Sequence, residues 1–287
     1  MTLFRDLFFL WPKLWPCVLV MWLSAGTVSL ADEPLDVAIT GSGQARGEES
    51  AGFYEQLLKL SLEKTRASDG DFVITHNNHG GGIARDRAIL IAGAGIDVMW
   101  ASATRERQQQ MRMVPVDLLK NLNNYRVLLI NKDDQSTFAH VKTLGDLKKF
   151  KVGSGEHWTD GIIFKDNGFN VALTSSYTGL FKMLAARRFQ FISRGLHEIG
   201  FDTEEYKEFG LIQEQTLLLK YDVPIGYCFF VNKNNIQLAD RIERGLRIAQ
   251  QDGSFDQLFY QVSSFKQGAE LLKESHRRVL ELKNTKI

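Results

Sequence analysis

Cysteine is almost absent from this chain: 287 residues carry two, Cys17 and Cys228. Cys17 lies inside an apolar run with no small residues before it, which argues against a lipid-attachment cleavage site. Cys228 sits in the apolar stretch 225–231 and reads as a packed small hydrophobe, so no disulfide framework holds this fold together. Charge of one sign is also missing. The formal net charge is +1, and residues 1–31 hold Arg5, Lys13 and Asp6, so the rest of the chain is balanced. Without a basic field, nucleic acid is excluded as a partner. After residue 31 no stretch approaches the roughly 18 apolar residues of a membrane-spanning helix. Repeats, low-complexity tracts and an obvious flexible linker are lacking too.

What the sequence does have begins with a leader. Arg5 and Lys13 are followed by an almost wholly apolar run, 14–23, and then by small residues ending Ser29-Leu30-Ala31. This is the layout of an export signal cleaved after Ala31, which predicts an exported protein beginning at Asp32. Retention of the run as an anchor is the alternative. The remainder is long enough for one large or two modest domains.

Apolar and polar residues then alternate between strand and helix periods. Strands are expected at 35–40, 72–75, 96–100, 125–131, 151–153, 190–193 and 223–232, with helices at 51–67, 83–92, 143–150, 159–165, 178–188, 235–251, 255–262 and 268–282. Strands separated by helices predict an α/β layer fold. The most informative stretch is 95–109, GIDVMWASATRERQQ. A short buried-type strand runs into the hydroxyls of Ser102 and Thr104 and then into Arg107 on a polar helical turn. That brings hydroxyls, backbone N–H groups and a guanidinium to the carboxyl edge of a sheet, where open α/β folds bind ligands. A planar fork beside helix N–H groups suits a carboxylate; a solvated surface arginine is the plainer reading.

Ser102-Ala-Thr104-Arg-Glu-Arg107 resembles the SxTxxR motif of type 2 periplasmic solute-binding proteins, the bacterial family 3 of amino-acid-binding-like proteins. Further matches follow in that family's order: 143–153 (TLGDLKKFKVG), Val231-Asn-Lys233 and 249–253 (AQQDG). The resemblance implies a two-lobe clamshell with a mixed sheet in each lobe: lobe 1 from 32–122 plus 228–287, lobe 2 from 123–227. It implies Ser102 and Arg107 as carboxylate holders, with Thr104 beside them, and Arg46 in the first loop as a contact at the ligand's far end. In lobe 2 it implies that Thr159 caps the carboxylate at a helix N-terminus, with Trp158 as an aromatic wall. It carries no cofactor, no metal and no covalent chemistry.

One departure stands out. Amino-acid binders of the family read GRxDAxxxD where this chain has Arg188 to Gly195, with Gln190 and Gly195 in place of the two aspartates and Arg194 beside the second. An ammonium facing Arg194 would be repelled. If Arg194 faces the cleft, two forks favour an anionic solute without an amine, whereas Glu198 would compensate if the following helix turned inward.

Other motifs lose on their details. The 41–47 loop (GSGQARG) lacks the third glycine in register and an acidic residue ending the second strand, so it is no dinucleotide fingerprint. His79-Gly-Gly-Gly82 resembles an esterase oxyanion loop, yet no serine has glycine at both −2 and +2. His76-x-x-His79 has no nearby third ligand for a metal. The sequence therefore predicts a monomeric periplasmic binding protein, not an enzyme. It would deliver a small carboxylate-bearing solute to an ABC-type importer; sensing through a membrane receptor is a close alternative. A dehydratase-like enzyme, with Glu156 and His157 as first suspects, is the remaining one.

Overall fold

The computed structural model describes residues 33–40, 48–77, 82–156, 158–273 and 276–284. The leader, Arg46, His79 and His157 lie outside the described residues. Leu35–Thr40 (β1) is buried over its last four residues, as expected of a strand covered on both faces. It pairs in parallel with Phe72–Asn77 (β2) over its whole length and with Val98–Ser102 (β3) at Ile39↔Val98. Helix Glu48–Lys64 lies between β1 and β2 in the chain, and helix Ile83–Ala92 lies between β2 and β3. The second of these stops at Gly93, whose φ of 64° lies in the left-handed region that glycine enters without a Cβ penalty.

After the short strand Met111–Met113 (β4) the chain crosses to a second sheet, built from Tyr125–Asn131 (β5), Val152–Gly155 (β6), Val171–Thr174 (β7), Phe191–Gly195 (β8), Leu211–Gln213 (β9) and Leu217–Tyr221 (β10). β5 is antiparallel to β8, β9 and β10, while β6 is parallel to β7 and β8. The chain then returns as Tyr227–Asn232 (β11), which inserts antiparallel between β3 and β4. Both sheets are therefore mixed, and the two crossings run side by side. Leu118 N–H donates to Tyr227 O at 2.9 Å, and the Asn123 side-chain amide donates to Gly226 O at 3.1 Å.

Helix Ile236–Gln251 presents an apolar face to helix Glu48–Lys64. The two approach so closely that a Cβ on Gly245 would lie 1.9 Å from the Ser61 carbonyl oxygen. Helix Ser254–Phe259 follows, its Phe259 meeting Phe53 edge-on at 5.9 Å. The tail differs from expectation. Instead of one helix over 268–282, helix Ser263–Lys273 ends and Arg278–Leu282 (β12) adds to the second sheet, parallel to β10 from Leu217↔Arg278 to Tyr221↔Leu282. Leu280 and Leu282, two residues apart, share one strand face; the open edge of β10 buries both and gives the backbone groups partners. The expected assignment of all of 228–287 to the first lobe is corrected here: β12 belongs to the second sheet.

One buried apolar cluster spans both sheets, with Val37, Trp100 and Phe229 from the first and Val127, Leu129 and Ile192 from the second. A separate cluster around Phe138, Phe164 and Phe191 fills the far side of the second sheet. Among the described residues no helix is long and apolar enough to cross a membrane.

Candidate functional site

β3 ends at Ser102, which stands opposite Tyr227 of β11. Two residues on, Thr104 caps helix Arg105–Gln110: its backbone is extended and its hydroxyl accepts from Arg107 N–H at 3.2 Å. That cap sets the start of the helix and turns the Arg107 side chain back towards the strand, where Nη1 donates to Ser102 O at 2.7 Å. Arg107 is half-buried, and no carboxylate lies within ion-pair distance of it among the described residues. Burial lowers its pKa, with the charge of Arg87 adding to that and Tyr227 and Glu106 opposing it. A desolvated cation without a counter-ion is costly, and an incoming anion would offset the cost.

The first-lobe wall next to Arg107 is aromatic. Tyr54 stacks on Trp100 at 5.4 Å and lies 5.4 Å from Tyr227. Burial raises the pKa of both tyrosines, and Glu198 of the second lobe adds to the rise at each. The indole N–H of Trp100, 4% exposed, has no partner among the described residues.

On the second lobe, Trp158 covers the end of β6. A Cβ on Gly155 would lie 2.6 Å from the indole nitrogen, so the ring needs a glycine beneath it. Trp158 itself occupies the N-cap position, with no side-chain cap, and Thr159 is the first residue of helix Thr159–Asp166. Thr159 thus stands in the first turn of the helix and not at its N-cap. The Arg194 guanidinium lies 4.7 Å from the centre of the Trp158 ring, but its fork does not open into a cleft. Nε donates to Asp202, Nη2 lies 3.2 Å from Glu198, and Tyr177 OH donates to Asp202 at 2.5 Å. Burial acting alone would depress its pKa; Asp202 and Glu198 raise it instead. The expectation of a second free fork at Arg194 fails because the helix Ile199–Glu205 brings Asp202 onto it.

The conditional reading of Glu198 is met. Its Oε2 accepts from Gly195 N–H at 3.0 Å and from Arg126 Nη1 at 3.3 Å. Burial opposes ionisation there, but Arg194, His197 and Arg126 hold the carboxyl pKa down at about 2. Arg126, on β5, also reaches Asp160 at 3.4 Å, while its Nε has no partner among the described residues. His197 is pushed down to about 4 by burial and by the two arginines, and among the described residues its Nδ1 is likewise unpartnered.

Of the expected site residues, the fold brings Ser102, Thr104 and Arg107 together on one junction, and Trp158, Thr159 and Arg194 on the facing lobe. Sequence reasoning missed Tyr54, Trp100, Arg126 and Tyr227. Arg126 opens a seven-residue apolar-type strand and shows no spacing that marks it. The aromatic residues read as ordinary core.

With this geometry in place, the comparisons give the class. A comparison with protein-family models finds no match, and none of the curated proteins matches by sequence. Solved structures do match over nearly their whole length. An ancestral arginine-binding protein bound to arginine is 20% identical with a TM-score of 0.57, covering 81% of this chain and 99% of that one. A periplasmic binding protein of Salmonella typhimurium with high arginine specificity is 16% identical with a TM-score of 0.58, covering 79% and 99%. A histidine kinase sensor domain similar to periplasmic binding proteins is 15% identical with a TM-score of 0.59, covering 80% and 97%. The fold is the two-lobe, type 2 periplasmic-binding-protein fold.

Proposed function

We propose that the protein captures a small carboxylate-bearing solute between its two lobes, with the carboxylate on Arg107 and the hydroxyls and amides of the 102–107 junction. The observation that carries this reading is the half-buried Arg107 guanidinium, held by the Thr104 cap and against Ser102, with no carboxylate partner among the described residues. Arginine suits a bidentate carboxylate contact, and the low dielectric between closed lobes strengthens it.

At the solute's other end the chemistry favours an acceptor over an ammonium. A Cβ on Gly195 would lie 2.9 Å from Arg126 Nη1, so a guanidinium fills the space that an acidic side chain at that position would need. Both Glu198 oxygens are engaged by arginines, and among the described residues Trp100 Nε1 and Arg126 Nε are donors without a partner. Trp158 and Thr159 line the second-lobe side, with Arg194 holding the Trp158 ring in place. The activity is binding rather than catalysis, in the periplasm, with delivery to an ABC-type importer. The sensor-domain neighbour supports a receptor-docking role as the second reading.

The test is a thermal-shift and calorimetric screen of the protein against amine-free mono- and dicarboxylates, sugar acids and α-amino acids. A tight solute raises the unfolding midpoint by mass action. Binding of an amine-free acid that Arg107→Ala abolishes supports the reading; unchanged affinity in that variant removes it.

A further inference from the structure

The two side-by-side crossings at 114–124 and 222–226 would by themselves allow the lobes to hinge freely. The C-terminal segment adds a third link at a different place. Helix Ser263–Lys273 buries Phe265 in the first lobe, where its ring lies 4.9 Å from Phe53 and 5.1 Å from Phe259. The same ring lies 6.0 Å from His197 of the second lobe. One turn further, the helix backbone rests on the second lobe itself: a Cβ on Gly268 would lie 2.7 Å from the Leu196 carbonyl oxygen. Beyond the helix, β12 is fixed to β10 by a five-residue parallel register. Arg277 Nη1 donates to the carbonyls of Glu214 and Leu217, and Arg278 Nη1 donates to Val141 O. Past β12, the Asn167 side chain exchanges two hydrogen bonds with the Lys283 backbone.

We infer that helix Ser263–Lys273 and β12 together form a latch that holds the two lobes together when no solute is bound. Opening about the paired crossings must pull helix Ser263–Lys273 away from Leu196 and helix Ile199–Glu205, or strip β12 from its sheet. The first requires exposing Phe265 and Leu196, both buried. The second breaks a strand's worth of ladder bonds. Neither cost depends on a ligand, so the apposed state is the resting state, and solute entry proceeds through local movement at the cleft rather than through wide hinge opening. This inference rests on the two-lobe fold and on the tail's packing, not on the identity of the solute.

The experiment places spin labels at Lys59 and Lys149, exposed positions on the two lobes, in the full chain with Cys17→Ser. Cys228 is buried and stays unlabelled. Distances are measured after refolding from urea, so that no carried-over solute remains. A single narrow interlobe distance in the ligand-free protein is expected, lengthened and broadened by Gly268→Val, whose side chain cannot fit against Leu196. A broad, long distribution in the ligand-free parent, narrowing only on addition of a solute, overturns the latch. So does an unchanged narrow distance in a Gly268→Val protein that still unfolds cooperatively. Small-angle scattering of the ligand-free parent chain needs no variant: a compact radius of gyration is expected, and an expanded one that shrinks on addition of a solute overturns the latch.

Discussion

The Cβ direction of Gly195 points at Arg126: a side chain there would meet Nη1 of the guanidinium at 2.9 Å and the His197 ring at 2.6 Å. A guanidinium from the neighbouring strand β5 thus occupies the space that an acidic side chain at this position would need. If the solute lacks an amine, a carboxylic acid and its α-amino counterpart should differ by about tenfold or more in Kd in favour of the former, read by calorimetry; tenfold corresponds to about 1.4 kcal/mol. Equal or reversed affinities would contradict the charge argument at Gly195 while leaving Arg107 in its role.

Arg107→Ala removes a charge-assisted contact made in a partly desolvated site. Affinity for the carboxylate solute should fall by about 100-fold, in line with about 3 kcal/mol for such a bond. The unfolding transition should stay cooperative, because among the described residues Arg107 makes no ion pair whose partner would be stranded. Thr104→Val, which deletes the cap, should weaken binding less and also cost about 1 kcal/mol of stability.

Arg194 and Asp202 are buried together, with side-chain exposures of 5% and 1%. Removing either alone leaves a charge uncompensated, so Arg194→Met and Asp202→Leu should each cost about 3–5 kcal/mol in urea unfolding, and the double variant much less than the sum. Additive losses would show that the pair is not energetically coupled.

Acid should weaken the fold in two stages. His197 is held at about 4, below its ordinary value near 6.5, so the unfolded chain takes up a proton first. Stability present above pH 6.5 is lost as pH falls towards 4. Glu198, held at about 2, adds stability above its ordinary value near 4.5 that is lost between there and pH 2. The urea midpoint should therefore decline between pH 7 and 4, and His197→Phe should flatten that limb. A midpoint independent of pH over this range in the parent protein would refute the assignment.

Gly245→Ala places a methyl group against the Ser61 carbonyl, a backbone atom that cannot swing away. Overpacking of this kind should cost about 1–3 kcal/mol, despite alanine's higher helix propensity. A stabilised variant would mean that the two helices separate readily.

Much of this architecture is legible in the sequence where local pattern and tertiary setting agree. The strands 35–40 and 125–131, the helix over 83–92 and the Thr104-to-Arg107 junction follow from residue type and spacing. The tail, expected as one helix, becomes a strand because Leu280 and Leu282 stand two residues apart on one strand face and β10's open edge receives them. β10 itself, three leucines followed by lysine and tyrosine, carries no turn signal that separates it from its surroundings. Arg194 illustrates the limit at the site. Its placement beside Gly195 is visible in the sequence, but the carboxylates that consume its charge come from the next helix turn, and their inward direction is a property of packing.

The position of β12 also has a meaning in time. β3, in the middle of the first sheet, gains its second neighbour only when β11 has been made, after every strand of the second sheet but one. The edge of that second sheet stays open until the closing residues of the described chain arrive at β10. Neither sheet can be completed as an independent early unit during synthesis, and pairings of such long sequence separation form slowly. The first sheet is therefore complete only once β11 has been made, and the second only when β12 arrives.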